Sequence, residues 1–211
     1  MRTFSGLVLA FLVLPAAAET FRLRAPSEAL EAVIRADDTL TLEVKFRGRS
    51  VVRTPAVGLD VDGHLRANAL PKLTGNARRK VNETIRPAVP EKRAVIPDRY
   101  NELRLSFGPK FAVTFRAYDD GVAYRFETAI DGEVIVRNEN AGLRLAKEDA
   151  LWMALVNCRG EPGVDCFNSN HEESYQQLKA DAVPDGRLAY LPITVQTAGG
   201  YVAFTDSDVR D

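Results

Sequence analysis

The sequence predicts an all-β fold, a sandwich of two large antiparallel sheets with little helix. Three observations carry that expectation. Short runs alternate apolar and polar residues with a period of two, the pattern of half-buried strands. Asp-Gly pairs at 62–63, 120–121 and 131–132 punctuate those runs, and such pairs favour tight hairpins because they tolerate positive φ. No stretch carries the sustained i, i+3, i+4 apolar stripe of an amphipathic helix.

In chain order, Glu31 to Ala36 breaks at Asp37-Asp38, and Leu40 to Phe46 runs on to Gly48, which reads as a first hairpin. Val51-Val52 and Val57 to Val61 follow, closed by Asp62-Gly63. The segment 68–94 is rich in Lys, Arg, Asn and Pro and has weak periodicity, and Pro87 and Pro90 exclude a regular central strand there. It reads as loop and edge strand. Glu102 to Phe107 sets Leu103, Leu105 and Phe107 on one face and ends at Gly108-Pro109. Phe111 to Thr128 is the clearest hairpin. Closing it at Asp120-Gly121 would place Phe115 opposite Phe126, Ala117 opposite Tyr124 and Arg116 opposite Arg125. Two arginines across a ladder repel, so an acid such as Glu102, Asp119 or Glu127 is expected between them. Val134 to Val136 and Ala141 to Leu145 read as two more strands. The stretch 157–175 reads as loop, and Leu188 to Val195 and Tyr201 to Phe204 return to strand around Gly199-Gly200.

Charge is nearly balanced, with 28 Lys and Arg against 29 Asp and Glu, a net of −1. That balance gives no electrostatic case for nucleic acid or an anionic membrane as a partner. A mean hydropathy of −0.18 is far from that of an integral membrane protein. Residues 1–18 read separately: Arg2 is a charged start, Leu7 to Leu14 an apolar run, and Ala16-Ala17-Ala18 a small-residue cleavage site. That is the pattern of a secretory signal peptide, too short to span a bilayer. It implies a periplasmic or secreted protein, with 19–211 as the mature domain. In such a compartment Cys158 and Cys166, either side of the Pro162-Gly163 turn, read as a local disulfide clamping a loop. A zinc pair is the rival reading, with His171 the only further soft ligand nearby.

Among acid pairs, Asp119-Asp120 lies in a turn where aspartate serves the backbone, and Asp206 and Asp208 lie near the end. Glu172-Glu173 is different, because it sits in a long polar loop beside His171 and ahead of Tyr175. A plain surface loop held by the disulfide is the alternative reading. Trp152, Tyr175 and Tyr201 are aromatics that could stack on sugar rings or simply fill a core. The sequence has no nucleophile elbow, phosphate loop or zinc-ligand spacing.

Two segments, VPEKRAVIPDRYNELRLSF and FRAYDDGVAYRFET, resemble the N-terminal domain of glycoside hydrolase family 97, mostly periplasmic α-glucosidases and α-galactosidases. The resemblance runs from about Leu23 to Asp211. It implies a β-super-sandwich of the galactose mutarotase kind, followed in whole enzymes by a (β/α)8 catalytic barrel that carries both catalytic carboxylates. It also implies that an acid in an E-x-x-Y setting reaches the barrel and helps bind calcium. Glu172 fits that setting with Tyr175, and Glu173 is the fallback. Calcium takes six to eight oxygens, so one glutamate cannot hold it alone. The partners so implied are the barrel and an α-linked oligosaccharide substrate. By itself the chain would hydrolyse nothing, Glu172 would be exposed and unpaired, and the alternative is a stand-alone carbohydrate-binding or structural module.

Overall fold

The structure, a computed structural model, describes residues 18–89, 92–157, 166 and 172–206. The segment read as a signal peptide therefore lies outside the described residues but for Ala18, as do Cys158, His171 and Asp208. The described chain is all-β, as the alternation predicts, with no α-helix and a short 3-10 turn at Ala180–Ala182. Among the described residues thirteen strands form three antiparallel sheets, where two were expected.

The first sheet holds β1 (Glu19–Arg24), β2 (Leu30–Ala36), β3 (Leu40–Phe46), β4 (Arg49–Val61) and β9 (Val136–Asn140), in the order β1-β2-β3-β4-β9. Arg47 and Gly48 have φ of 49° and 78° and join Phe46 to its partner Arg49, so this pair, more than any Asp-Gly, makes the two-residue positive-φ turn. β4 is one long strand, where two runs, Val51-Val52 and Val57 to Val61, were expected. It pairs with β3 as far as Val57 and with β9 from Gly58 onward. Gly58 is required at that switch, because a Cβ there would sit 2.4 Å from the Cβ of Ala67.

The second sheet runs β5 (Leu73–Ile85), β6 (Ile96–Phe107), β7 (Phe111–Ala117) and β8 (Val122–Thr128) in simple order. The β7–β8 hairpin forms, but its register differs from the expected one. Val113 faces Phe126, Phe115 faces Tyr124, Ala117 faces Val122 and Arg116 faces Ala123. The turn is centred on Asp119-Asp120, with the Tyr118 N–H donating to the Gly121 carbonyl at 2.8 Å. A slip of two residues keeps every side chain on its face, so alternation cannot detect it. What selects the observed register is distant: the Asp119 carboxylate accepts from the Ser27 backbone N–H at 2.7 Å and from Arg99 at 3.3 Å.

These two sheets face each other over one core. β1 to β4 contribute Leu23, Ile34, Leu40 and Val57, and β6 and β7 contribute Leu103, Leu105, Phe107 and Phe115, none more than 2 % exposed. Burying a side chain of that size stabilises by roughly 1.5–3 kcal/mol.

The third sheet, in the order β11-β10-β12-β13, comprises β10 (Ala150–Leu155), β11 (Gln176–Lys179), β12 (Ala189–Thr197) and β13 (Gly200–Phe204). Its own core is small: Leu151, Met153 and Val195 are buried, with Leu178 and Ile193 among the partly buried residues around them. Residues 134–135 and 141–145 are not strand; pairing to β4 begins only at Val136.

Candidate functional site

The loop bearing Glu172 hangs from this third sheet, and both of its ends are anchored to the same neighbour. It leaves β10 at Val156, whose N–H donates to the Leu188 carbonyl at 2.8 Å while Arg187 donates to the Val156 carbonyl at 2.8 Å. It returns at Tyr175, whose hydroxyl donates to the Pro192 carbonyl on β12 at 2.8 Å. Tyr175 is thus half exposed but tied by its tip, and β11 begins immediately after it. The aromatic of the E-x-x-Y pattern is therefore tied to β12, three residues after Glu172.

Glu172 is exposed, as expected, and Glu173 is half-buried. Glu172 is not unpaired, however; it already engages a neighbour within the chain. A carboxylate is the hard oxygen donor that calcium takes, so the residue type fits that ion as one ligand. Among the described residues no three His, Cys, Asp or Glu side chains gather into a metal-binding group. Cys166 is buried, and its proposed partner Cys158 lies outside the described residues.

The other acid pairs resolve differently. Asp119 ties the hairpin turn to Ser27 and Arg99, and the Ser27 hydrogen bonds hold its carboxyl below the usual range. It is structural. Asp206 is exposed.

The aromatics gather in part. Trp152 and Tyr201 lie 5.7 Å apart, ring centre to ring centre, tilted by 49°. Pairing of Trp152 with Gln177 and Thr194, and of Tyr201 with Gln196, puts these side chains on the face of the third sheet opposite its core.

The densest polar cluster covers the outer face of the second sheet. Glu102 accepts from Arg79 at 3.1 Å and from Arg116 at 2.8 Å, and the Arg116 guanidinium lies 4.4 Å from the Tyr100 ring centre. Burial pushes the Glu102 carboxyl up, but the hydrogen bonds and charges of its two arginines outweigh that and hold it below its ordinary value. One row over, Glu127 accepts from Thr114 and from Arg104 at 2.9 Å, with Arg125 at 3.7 Å; burial again opposes the lowering that these partners produce. Arg116 and Arg125 do not face each other as expected, so no acid lies between them; each has its own, Glu102 for Arg116 and Glu127 for Arg125. Arg79 and Arg104 were not visible as partners because they come from other strands, and only the correct registers align them.

The profile of the glycosyl-hydrolase 97 N-terminal family matches residues 23–211. A retaining alpha-galactosidase of Bacteroides thetaiotaomicron is 29% identical over 198 residues, covering 92% of this chain and 30% of that protein. A probable retaining alpha-galactosidase of Streptomyces bingchenggensis is 28% identical over 210 residues, covering 94% of this chain and 31% of that protein. The chain thus spans under a third of the length of these relatives. Among solved structures, a beta-arabinopyranosidase superposes with a TM-score of 0.70 at 23% identity, over 90% of this chain and 32% of that one. A family 97 glycoside hydrolase from Pseudoalteromonas sp. strain K8, in complex with acarbose, gives 0.64 at 17% identity, over 84% and 27%.

Proposed function

Since the chain belongs to the glycosyl-hydrolase 97 N-terminal family, we propose that it is the non-catalytic β domain of an exported α-glycosidase. It packs on a (β/α)8 catalytic barrel, shapes the substrate pocket, and lends one calcium ligand, Glu172, with Glu173 as the alternative. The observation that carries this reading is the family match across 23–211 in a chain spanning only 30% of an alpha-galactosidase relative. The anchored, exposed carboxylate at Glu172 supports the calcium assignment. Calcium bound there would supply Lewis-acid polarisation near the scissile bond. Glu172 would contribute charge and position to the ion, and the Tyr175 anchor would hold the loop that presents it.

The test is activity against calcium concentration in the full-length enzyme, comparing Glu172→Gln with Glu173→Gln. A right shift for Glu172→Gln alone supports the assignment, and a shift for Glu173→Gln alone moves the ligand by one residue. If neither moves the curve, the loop is not a calcium loop. A second reading, a carbohydrate-binding module, draws on the Trp152–Tyr201 pair with Gln177, Thr194 and Gln196 on its sheet face. Aromatic faces beside side-chain amides and hydroxyls suit a neutral pyranose. Binding of α-linked oligosaccharide that Trp152→Ala abolishes would favour that reading.

A further inference from the structure

The edge strand β5 has a chemical peculiarity that neither the family nor the calcium loop accounts for. Its inward-facing positions are polar, and two of them, Arg78 and Lys80, are basic. Arg78 pairs with Leu103 and Lys80 with Asn101 on β6, so both share the face that, further in, carries the core leucines. They can do so because the opposing five-stranded sheet ends at β1 and leaves β5 overhanging. Beneath the overhang is an open cleft of about 830 Å³, between β5 and β6 on one side and the unpaired edge of β1 on the other. Ligand pockets usually fall in the range of about 300–1,000 Å³.

The cleft is built. Arg78 donates to the Arg22 carbonyl at 2.9 Å and Asn101 to the Arg24 carbonyl at 2.7 Å, bracing the β1 edge against the second sheet. Its lining holds Arg22, Arg24, Arg78, Arg79, Lys80 and Arg99 against only Glu28 and Glu102. Counting also Glu31 and Asp119, which pair with three of those arginines, still leaves six bases to four acids in a chain whose net charge is −1. The surplus sits on Arg78, whose contact is a backbone carbonyl, and on Lys80, which has no ion pair among the described residues. Inward-pointing charge also protects an open sheet edge from pairing with another chain. Edge protection needs one or two lysines, however, not a braced cleft in which the surplus charge stands beside side-chain amides.

We propose that the β1–β5 cleft binds a carboxylate-bearing saccharide, a uronate unit. Arg78 and Lys80 engage the carboxylate, and Asn82 and Asn101 meet the hydroxyls. Guanidinium and ammonium groups recognise carboxylate by charge-assisted hydrogen bonds, and a neutral sugar would leave that surplus unused. This inference is independent of the calcium reading, since either can fail without the other.

Calorimetric titration of the protein with digalacturonate, with neutral galactobiose and with sodium sulfate tests it. Digalacturonate should bind, weaken at least tenfold on Lys80→Ala and on Arg78→Gln, and weaken further as salt rises. Arg137→Gln, whose arginine pairs with Asp62 elsewhere, should leave binding unchanged. Lys80 is exposed, so its variant should fold even if Arg78→Gln loosens the β1 edge. Absence of digalacturonate binding, or binding indifferent to Lys80→Ala, overturns the proposal. Equal binding of galactobiose removes the carboxylate from it, and equal binding of sulfate removes the saccharide; either result also overturns it.

Discussion

The first sandwich and the third sheet are built from the same kind of strand, yet they differ in how they are held. Between β1–β4 and β6–β7 lies a continuous core in which Phe107, Phe115, Leu103 and Leu105 are almost wholly buried. The outer face of the second sheet is further laced by Glu102 and Glu127, each shared among arginines of neighbouring strands. The third sheet has three buried residues in its core and a partly exposed Trp152–Tyr201 pair on its other face. The first region holds the continuous core, whereas the third carries the loop with the candidate ligand. Function placed on a thinly packed layer beside a densely packed one is the usual division between scaffold and site.

The largest effect should come from the dense core. Phe115→Ala removes a fully buried ring that also meets Tyr124, with centres 6.1 Å apart, and should cost about 3–5 kcal/mol. Val195→Ala, the corresponding truncation in the third sheet, should cost roughly 1–2 kcal/mol. Urea denaturation of both variants measures the difference. Equal losses would erase the contrast drawn between the two regions.

The ion networks should give the next effect, and pH sharpens it. Glu102 is mostly buried between two arginines, so Glu102→Gln leaves Arg116 partly buried without its counter-charge, at about 1–3 kcal/mol. The folded-state pKa of Glu102 is depressed below its ordinary value of 4.5. A depressed carboxylate pKa adds stability that is complete above the unfolded value and lost as pH falls through the folded one. The wild type should therefore lose stability below about pH 4.5 more steeply than Glu102→Gln. Parallel melting curves from pH 6 to pH 3 would show instead that Glu102 adds nothing to the acid limb.

These networks also mark the limit of what the sequence discloses. Fold class was legible because alternation and the lack of a helical stripe are local properties. So were the first hairpin, the Glu102–Phe107 half of β6, which in fact begins at Ile96, and the pairing of β12 with β13. The β7–β8 register was not, because a two-residue slip preserves both faces and the deciding bonds come from Ser27 and Arg99, far away in the chain. β5 was legible only as an edge, since its inward positions overhang the opposite sheet and carry Arg78 and Lys80 in place of apolar residues. In the third sheet, E-x-x-Y was readable as a pattern, but the anchoring of Tyr175 on Pro192 required coordinates. Glu172 itself was expected without a partner and has one, a contact invisible to spacing.

The disulfide proposed for Cys158 and Cys166 would add a covalent clamp to the thinly packed region. Its loop is short, and the chain-entropy model gives roughly 2–3 kcal/mol for such a closure. Under denaturing, non-reducing conditions a thiol reagent should label neither cysteine. Two labelled thiols per chain would remove the clamp and leave the loop to non-covalent contacts such as those to Arg187, Leu188 and Pro192.

The smallest effect is expected where the function is proposed. Glu172 is exposed, so whatever partner it has is screened by water, and exposed substitutions usually fall within about ±0.5 kcal/mol. Glu172→Gln keeps the shape and removes the charge, and should leave the melting temperature of this chain within error. Tyr175→Phe is the informative companion, since it deletes the hydroxyl donated to Pro192 and should cost about 1 kcal/mol. If the residue is there to serve an ion completed from elsewhere, stability belongs to the anchor and charge to the neighbour three positions before it. A Glu172→Gln loss larger than that of Tyr175→Phe would mean that the glutamate holds the loop itself, and the division between anchor and ligand would collapse.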